Sequence, residues 1–142
     1  VKKVFVQGPI SPDFVSKSIA SHQSKTGIGA HAIFLGQIRA DVKEGGAVTG
    51  IEYTAYEEMA EQAFYVIREA AFAKFELTCM HIYHSLGLVP TGEISLFVFV
   101  SSPHRRAAFE ASEYIVEEIK ANVPIFGKEL VGEAGHLWKE NK

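Results

Sequence analysis

The chain has 142 residues, enough for one domain whose core needs no staple. Hydrophobic residues make up 47% and charged residues 22%, which excludes a disordered tail, and a net charge of −3 excludes a globally basic nucleic-acid binder. One cysteine, Cys79, excludes an intrachain disulfide and a four-cysteine zinc ribbon, and no apolar run approaches the ~20 residues of a membrane span.

The alternating start reads as a strand over Val4–Gln7 and lacks the apolar core of a signal peptide, so the expectation is a single cytoplasmic domain over residues 1–142. Ser11-Pro12-Asp13 starts a helix with a capping hydroxyl, a proline in the first turn and an early carboxylate. It should run to about His22, with Phe14, Val15, Ser18 and Ile19 facing inward. Gly27 and Gly29 lead into Ala30–Arg39, read as a buried strand. Arg39 to Gly50 is polar and glycine-bearing, a long loop or a flexible hairpin tip, before Ile51–Tyr56 returns as a strand. A long helix follows from Glu57 to Phe75, with Met59, Ala63, Ile67, Ala70 and Lys74 on its inner stripe.

Leu77–His84 is β-like, and the turn signal Val89–Gly92 separates it from Ile94–Val100, the most apolar run and a central strand. Ser102-Pro103 repeats the cap-plus-proline signature, and a helix should continue to about Ala121 with Ala108, Ala111, Ile115 and Ile119 as its inner seam. Beyond Pro124 a short strand near Glu129–Val131 and an anchor at Trp138 complete the chain. Hairpin-like spacings with two or three helices give an α+β class rather than a doubly wound sheet.

One segment breaks its own rules. The helix after Pro103 opens with His104-Arg105-Arg106, although the dipole already makes a helix N-terminus positive. Two arginines there cost roughly 0.3–1 kcal/mol apiece unless something negative lies nearby. A bound anion, phosphate above all, removes the conflict; alternatively both guanidinium groups swing back to acidic surface residues. Lys120 lies at the other end of the same helix, where a cation is comfortable, and Lys128 follows just after it. His104 and Lys120 are 16 positions apart, so a continuous helix separates them by ~24 Å. A single small-molecule site using both must lie between two subunits, for which a two-fold dimer is the simplest assembly. Arg39, at the end of a strand before a glycine-bearing loop, is a third candidate binding group.

The six histidines show no zinc-ligand spacing in sequence, and His81 and His84 point to opposite faces of a strand. No nucleophile elbow, P-loop or dinucleotide fingerprint occurs, and Cys79 reads as an inert core thiol. Glu57, Glu58 and Glu61 suit a helix start and need no other explanation. Residue types and spacing thus reach an anion-binding α+β domain, and a dimer if His104 and Lys120 serve one site.

Three segments carry a closer resemblance: Phe34–Arg39, Gly92–Ala111 with its Ser-x-His-Arg-x-x-Ala-Phe-Glu motif, and Ile119–Pro124. They resemble the large, catalytic subunit of molybdopterin synthase, over nearly the whole chain from Val4 to Trp138. The resemblance implies an α/β-hammerhead fold with additional antiparallel strands. It implies a sulfurtransferase that builds the dithiolene of molybdopterin on cyclic pyranopterin monophosphate (precursor Z). Sulfur would come from the C-terminal thiocarboxylate of a small ubiquitin-like carrier, in a heterotetramer built on a dimer of large subunits. No metal or other cofactor is implied for the chain itself, and no nucleic acid or membrane.

Position by position, Lys120 matches the family's principal active-site lysine, while Arg39, His104 and Arg105 match its substrate pocket. Glu129 matches a pocket glutamate that would orient a lysine. The chain departs from the family at Phe126-Gly127, where Trp-Lys is usual and the lysine is a second active-site residue, and at Ser85, where arginine is frequent. Either Lys128 fills the vacated catalytic role, or the second lysine is dispensable. A second reading is a non-catalytic dimeric module that binds a phosphorylated small molecule or a carrier tail.

Overall fold

The structure, a computed structural model, describes residues 3–132 and the backbone of 135–139. Its elements are β1 (Phe5–Gln7), α1 (Pro12–His22), β2 (Ala30–Gln37), β3 (Val42–Lys43), β4 (Gly46–Ala55), α2 (Glu57–Lys74), β5 (Cys79–Pro90), β6 (Ile94–Ser102), α3 (Arg105–Asn122), β7 (Ile125–Val131) and β8 (Gly135–Lys139). The main path of the sheet runs β2-β6-β5-β4-β7-β8 and is antiparallel throughout, with β1 added in parallel to β5 and β3 paired to β4. The α+β expectation holds.

Strand alternation sends successive residues of β6 to different layers. Leu96, Val98 and Val100 meet α2 and α3, together with Met80 and Ile82 of β5. Phe97 and Phe99 instead lie under α1 with Ile10 and Val15. On α3 all four expected seam residues, Ala108, Ala111, Ile115 and Ile119, are buried. Burying the two isoleucines contributes roughly 1.5–3 kcal/mol each. On α2 Ile67 is buried as expected, but the residues on either side of it are displaced by one position from the expected stripe. Ala60, Phe64, Ile67 and Ala71 are buried, whereas Met59 is 64% exposed. On α1, Val15 and His22 face the core, and Phe14 lies at the rim with its ring edge against Tyr83 and Phe97.

Two segments are more regular than the sequence suggested. The stretch after Arg39 forms the hairpin β3–β4, turning at Gly45 (φ 97°) and Gly46 (φ 130°), a region closed to most side chains. Beyond Pro124 the chain forms two paired strands in place of one short one, with Trp138 on β8 opposite Lys128; the Trp138 side chain lies outside the described residues. The expected capping role of Ser102 is not realised. Ser102 is still part of β6 and buried, so its hydroxyl donates to the Glu76 carbonyl (2.8 Å), and α3 starts later, with His104 at its N-cap.

Gly29 fixes where β2 meets the start of α3. Its N–H donates to the Ser102 carbonyl at 3.0 Å, and a Cβ there would run into the Pro103 carbonyl oxygen. Backbone cannot rotate aside as a side chain can. Gly29→Ala is therefore expected to lower stability by at least about 1–3 kcal/mol, read as a reduced urea midpoint at unchanged slope.

Candidate functional site

Titratable groups gather at the C-terminal end of α3, on the sheet face that α2 and α3 cover. His84, on β5, is 2% exposed, and its Nδ1–H donates to the Ser85 carbonyl at 2.8 Å. A carbonyl can only accept, so the proton sits on Nδ1 and the Nε2 lone pair stays available in the neutral ring. Burial holds this imidazole near pKa 4, well below its ordinary 6.5; the Lys120 ammonium pushes the same way, against the Ser85 hydrogen bond. Lys120 occupies the last turn of α3, where the helix dipole favours its charge. Val123 closes the helix through its N–H to the Ile119 carbonyl (3.2 Å), and Pro124 cannot continue it.

The Tyr53 ring of β4 meets His84 edge to face, with centroids 5.0 Å apart. Burial raises its phenol above the ordinary 10; a contact with the Ser95 hydroxyl at 3.5 Å opposes this, and the Glu129 carboxylate adds to it. Ser95 reaches Tyr53 because β6 carries one extra residue against Gly36–Gln37 of β2, a bulge that re-aims the local side chains. Glu129 is itself buried and faces Lys43 of β3 at 3.9 Å. Lys120, His84, Tyr53, Glu129 and Lys43 thus form one connected set. Sequence reading missed His84, Tyr53 and Lys43, because only the pairing of β4 with β5 and β7 joins them to Lys120 and Glu129.

Gly127 lies under this set, paired with Tyr53 across β4 and β7. A Cβ there would stand 2.9 Å from the Ile51 Cγ2 and 3.3 Å from the Tyr53 ring, so the neighbours occupy the space a side chain would need. Lys128 does not take the place of a residue at position 127. Successive residues of a strand point to opposite faces, and in β7 Gly127 and Glu129 are buried while Lys128 is turned outward. It pairs with Glu52, its direct neighbour on β4, at 3.3 Å. The sheet therefore stands between Lys128 and the Lys120 cluster of the same chain.

Arg39 follows buried Ile38, next to the β3–β4 hairpin, and its exposed guanidinium donates to Asp41 at 3.2 Å. The remaining basic group is at the far end of α3. There His104, Arg105, Arg106, Phe109 and Glu110 line a cleft of about 600 Å³ whose floor is Gly29 and Pro103. The first turn of α3 holds no acidic residue. Arg106 takes the surface route, pairing with Glu110 four residues on at 3.5 Å. Among the described residues no carboxylate pairs with Arg105, so the positive helix terminus and this guanidinium remain available to an anion. Because α3 is continuous, ~24 Å of helix separates His104 from Lys120. One chain does not bring them together.

The sequence reading found no metal-ligand spacing among the histidines. The structure nevertheless groups His22, Cys79 and His81 under α1, a juxtaposition visible only once α1 has folded onto the sheet.

Comparison with known proteins follows the same pattern. Residues 6–122 match the family model described as MoaE protein. The chain is 40% identical over 121 residues to a protein of Aspergillus fumigatus named molybdopterin synthase catalytic subunit, covering 85% of this chain and 64% of that one. It is 38% identical over 138 residues to the protein of that name from Bos taurus, covering 97% of this chain and 70% of the relative. The crystal structure of molybdopterin synthase from Staphylococcus aureus superposes with a TM-score of 0.81 at 32% identity, covering 96% of this chain and 95% of that one. The chain spans just under two thirds of the length of several of the curated relatives it matches. No helix among the described residues is long and apolar enough to cross a membrane. With the family model matched over most of the chain and the fold shared along nearly all of it, the chain belongs to the MoaE protein family.

Proposed function

We propose that the chain is the catalytic subunit of a molybdopterin synthase. In this reading it moves sulfur from the C-terminal thiocarboxylate of a small carrier protein to cyclic pyranopterin monophosphate. The observation that carries it is the placement of Lys120 in the last turn of α3, where its ammonium acts on the neutral, buried imidazole of His84. A cation there stabilises the negative charge that develops on the carrier's carbonyl oxygen when that carbon is attacked. His84, kept neutral, adds no competing charge. Glu129 and Tyr53 shape the rest of the wall, and Lys43 compensates the carboxylate.

His104 and Arg105 would hold the substrate phosphate at the N-terminal end of α3 from the second subunit of a dimer, since the helix keeps them from Lys120 within one chain. Arg39 reaches the same anion once it releases Asp41. Lys128 takes no part, because it faces away from Lys120. Lys128→Ala is accordingly expected to keep turnover within about twofold of the parent and to change stability by at most ~1 kcal/mol, because the side chain of its partner Glu52 is exposed and solvent screens the pair. A tenfold loss of turnover in a folded Lys128→Ala variant would return this lysine to the chemistry.

The absence of a side chain at Gly127 favours a second reading, a dimeric module that binds the carrier tail or a phosphorylated molecule without turnover. One experiment separates the two. Purified protein is mixed with thiocarboxylated carrier and precursor Z, and molybdopterin is detected as its fluorescent oxidised derivative. Product at many turnovers per site establishes the synthase; carrier binding without product establishes the module.

A further inference from the structure

On the sheet face opposite Lys120, three ligand-type side chains converge that the proposed reaction does not use. Cys79 and His81 are two apart on β5 and so point to the same side, toward α1. His22, the last residue of α1, closes over them. The His22 and His81 Nε2 atoms are 3.0 Å apart, and these two nitrogens and the Cys79 Sγ all lie within 4.8 Å of one another. His22 and Cys79 are buried and His81 is partly so.

Around these atoms the structure supplies orientation. The His22 Nδ1–H donates to the Ser18 carbonyl at 2.7 Å, which leaves the Nε2 lone pair directed at His81. The ring is stacked on Phe99 at 4.8 Å, with an interplanar angle of 29°. A backbone carbonyl on the far nitrogen and an apolar wall are what hold a histidine in ligating position. Two further groups face the cluster. His31 of β2 lies with its ring centroid 6.5 Å from that of His22, its Nδ1 on the Ser101 hydroxyl at 2.8 Å. The exposed Lys25, three residues beyond α1, places its ammonium 2.9 Å from the Cys79 sulfur.

We propose that His22, Cys79 and His81 form a binding site for a divalent transition-metal ion of the zinc class. Two imidazoles and a thiolate select borderline-soft ions over Mg²⁺ or Ca²⁺, which require oxygen donors. Zinc–nitrogen bonds of about 2.0–2.1 Å and zinc–sulfur bonds of about 2.3 Å put tetrahedral ligand atoms roughly 3.3–3.6 Å apart. The two nitrogens already meet that spacing to within a few tenths of an ångström, and the sulfur closes by small side-chain rotations. In the metal-free protein one proton lies between the two Nε2 atoms. Binding the ion moves it to the His81 Nδ1, releases the thiol proton of Cys79 to solvent, and lets the Lys25 ammonium swing outward. Water completes the fourth position.

The test uses tag-free, chelator-stripped protein titrated with Co²⁺ alone. The expected result is one equivalent bound, tetrahedral visible bands and a near-ultraviolet thiolate-to-cobalt band, all displaced by Zn²⁺. The chain has one cysteine, so that band reports on Cys79. Cys79→Ser abolishes it, and His81→Gln weakens binding by about 100-fold. Lys25→Met, at an exposed position, tightens binding about tenfold by removing a competing cation, and it guards against loss of fold in the other two variants. Folded parent protein that gives no thiolate band at one equivalent overturns the proposal. So does a His81→Gln affinity equal to that of the parent.

Discussion

Lys120→Ala is expected to lower turnover by about 10²–10³-fold or more while the protein still folds, because the lost interaction is one realised as charge develops on the reacting carbonyl. Removing a cation from the last turn of a helix costs only about 0.3–1 kcal/mol of stability. The comparison is therefore between a large kinetic change and a small shift in the urea midpoint. Lys120→Arg sharpens it. If charge alone matters, arginine restores part of the rate; if the amine must also exchange a proton, it restores none, since guanidinium stays protonated. The substitution has a second readout. Lys120 helps depress the His84 pKa, so in Lys120→Ala that pKa rises from its value of about 4. Parent-like turnover in a folded Lys120→Ala protein removes the lysine from the mechanism.

His84 should write itself into the pH dependence of stability. In the folded protein it titrates near 4, against an ordinary 6.5 in the unfolded chain. Above 6.5 both states are neutral and the group contributes no pH dependence. As pH falls from 6.5 toward 4 the unfolded chain takes up a proton that the folded protein refuses, so stability declines. Below 4 both states are protonated and the decline from this group ends. A shift of this size corresponds to about 3 kcal/mol over the window. Urea unfolding at intervals between pH 7 and 4 reads it out, and His84→Gln, which keeps a donor for the Ser85 carbonyl, should flatten the curve over that window. A His84→Gln curve parallel to the parent's would mean that the imidazole takes up its proton without difficulty in the folded state.

Much of the scaffold was legible in the sequence where one signal dominates. Pro12 and Ser11 mark the start of α1, and its structure agrees: Ser11 caps the helix by accepting from the Phe14 N–H at 3.1 Å. The α3 seam was legible because Ala108, Ala111, Ile115 and Ile119 recur at three- and four-residue spacing on one helical stripe. On α2 Ile67 was legible but the start of the stripe was not, since Met59 and Ala60 are both apolar and adjacent, and hydrophobicity alone does not choose between them. The choice is made by the tight approach of α2 to its neighbours, which fully buries Ala60 and would not admit methionine. Of the candidate site, the basic start of α3 and the end-of-helix placement of Lys120 were readable from charge patterning, whereas only the structure shows that Arg106 and not Arg105 pairs with Glu110. The separation of Lys128 from Gly127 was not, because it depends on strand alternation in a segment expected to be irregular before Glu129. His84, Tyr53 and the His22–Cys79–His81 group were invisible for a different reason. Each is assembled from elements distant in the chain, and no local pattern encodes which faces meet.

The continuity of α3 has an evolutionary corollary. Each residue of a helix adds 1.5 Å and about 100° of rotation. Inserting or deleting one residue inside α3 would swing part of the seam out of the core and turn Lys120 relative to Arg105, damaging packing and chemistry together. Single substitutions along the outer face carry no such coupling. The two basic ends are thus held at a fixed separation and phase by the core itself, like marks on a ruler. Side chains on the outer face of this helix are free to drift, while its length is not.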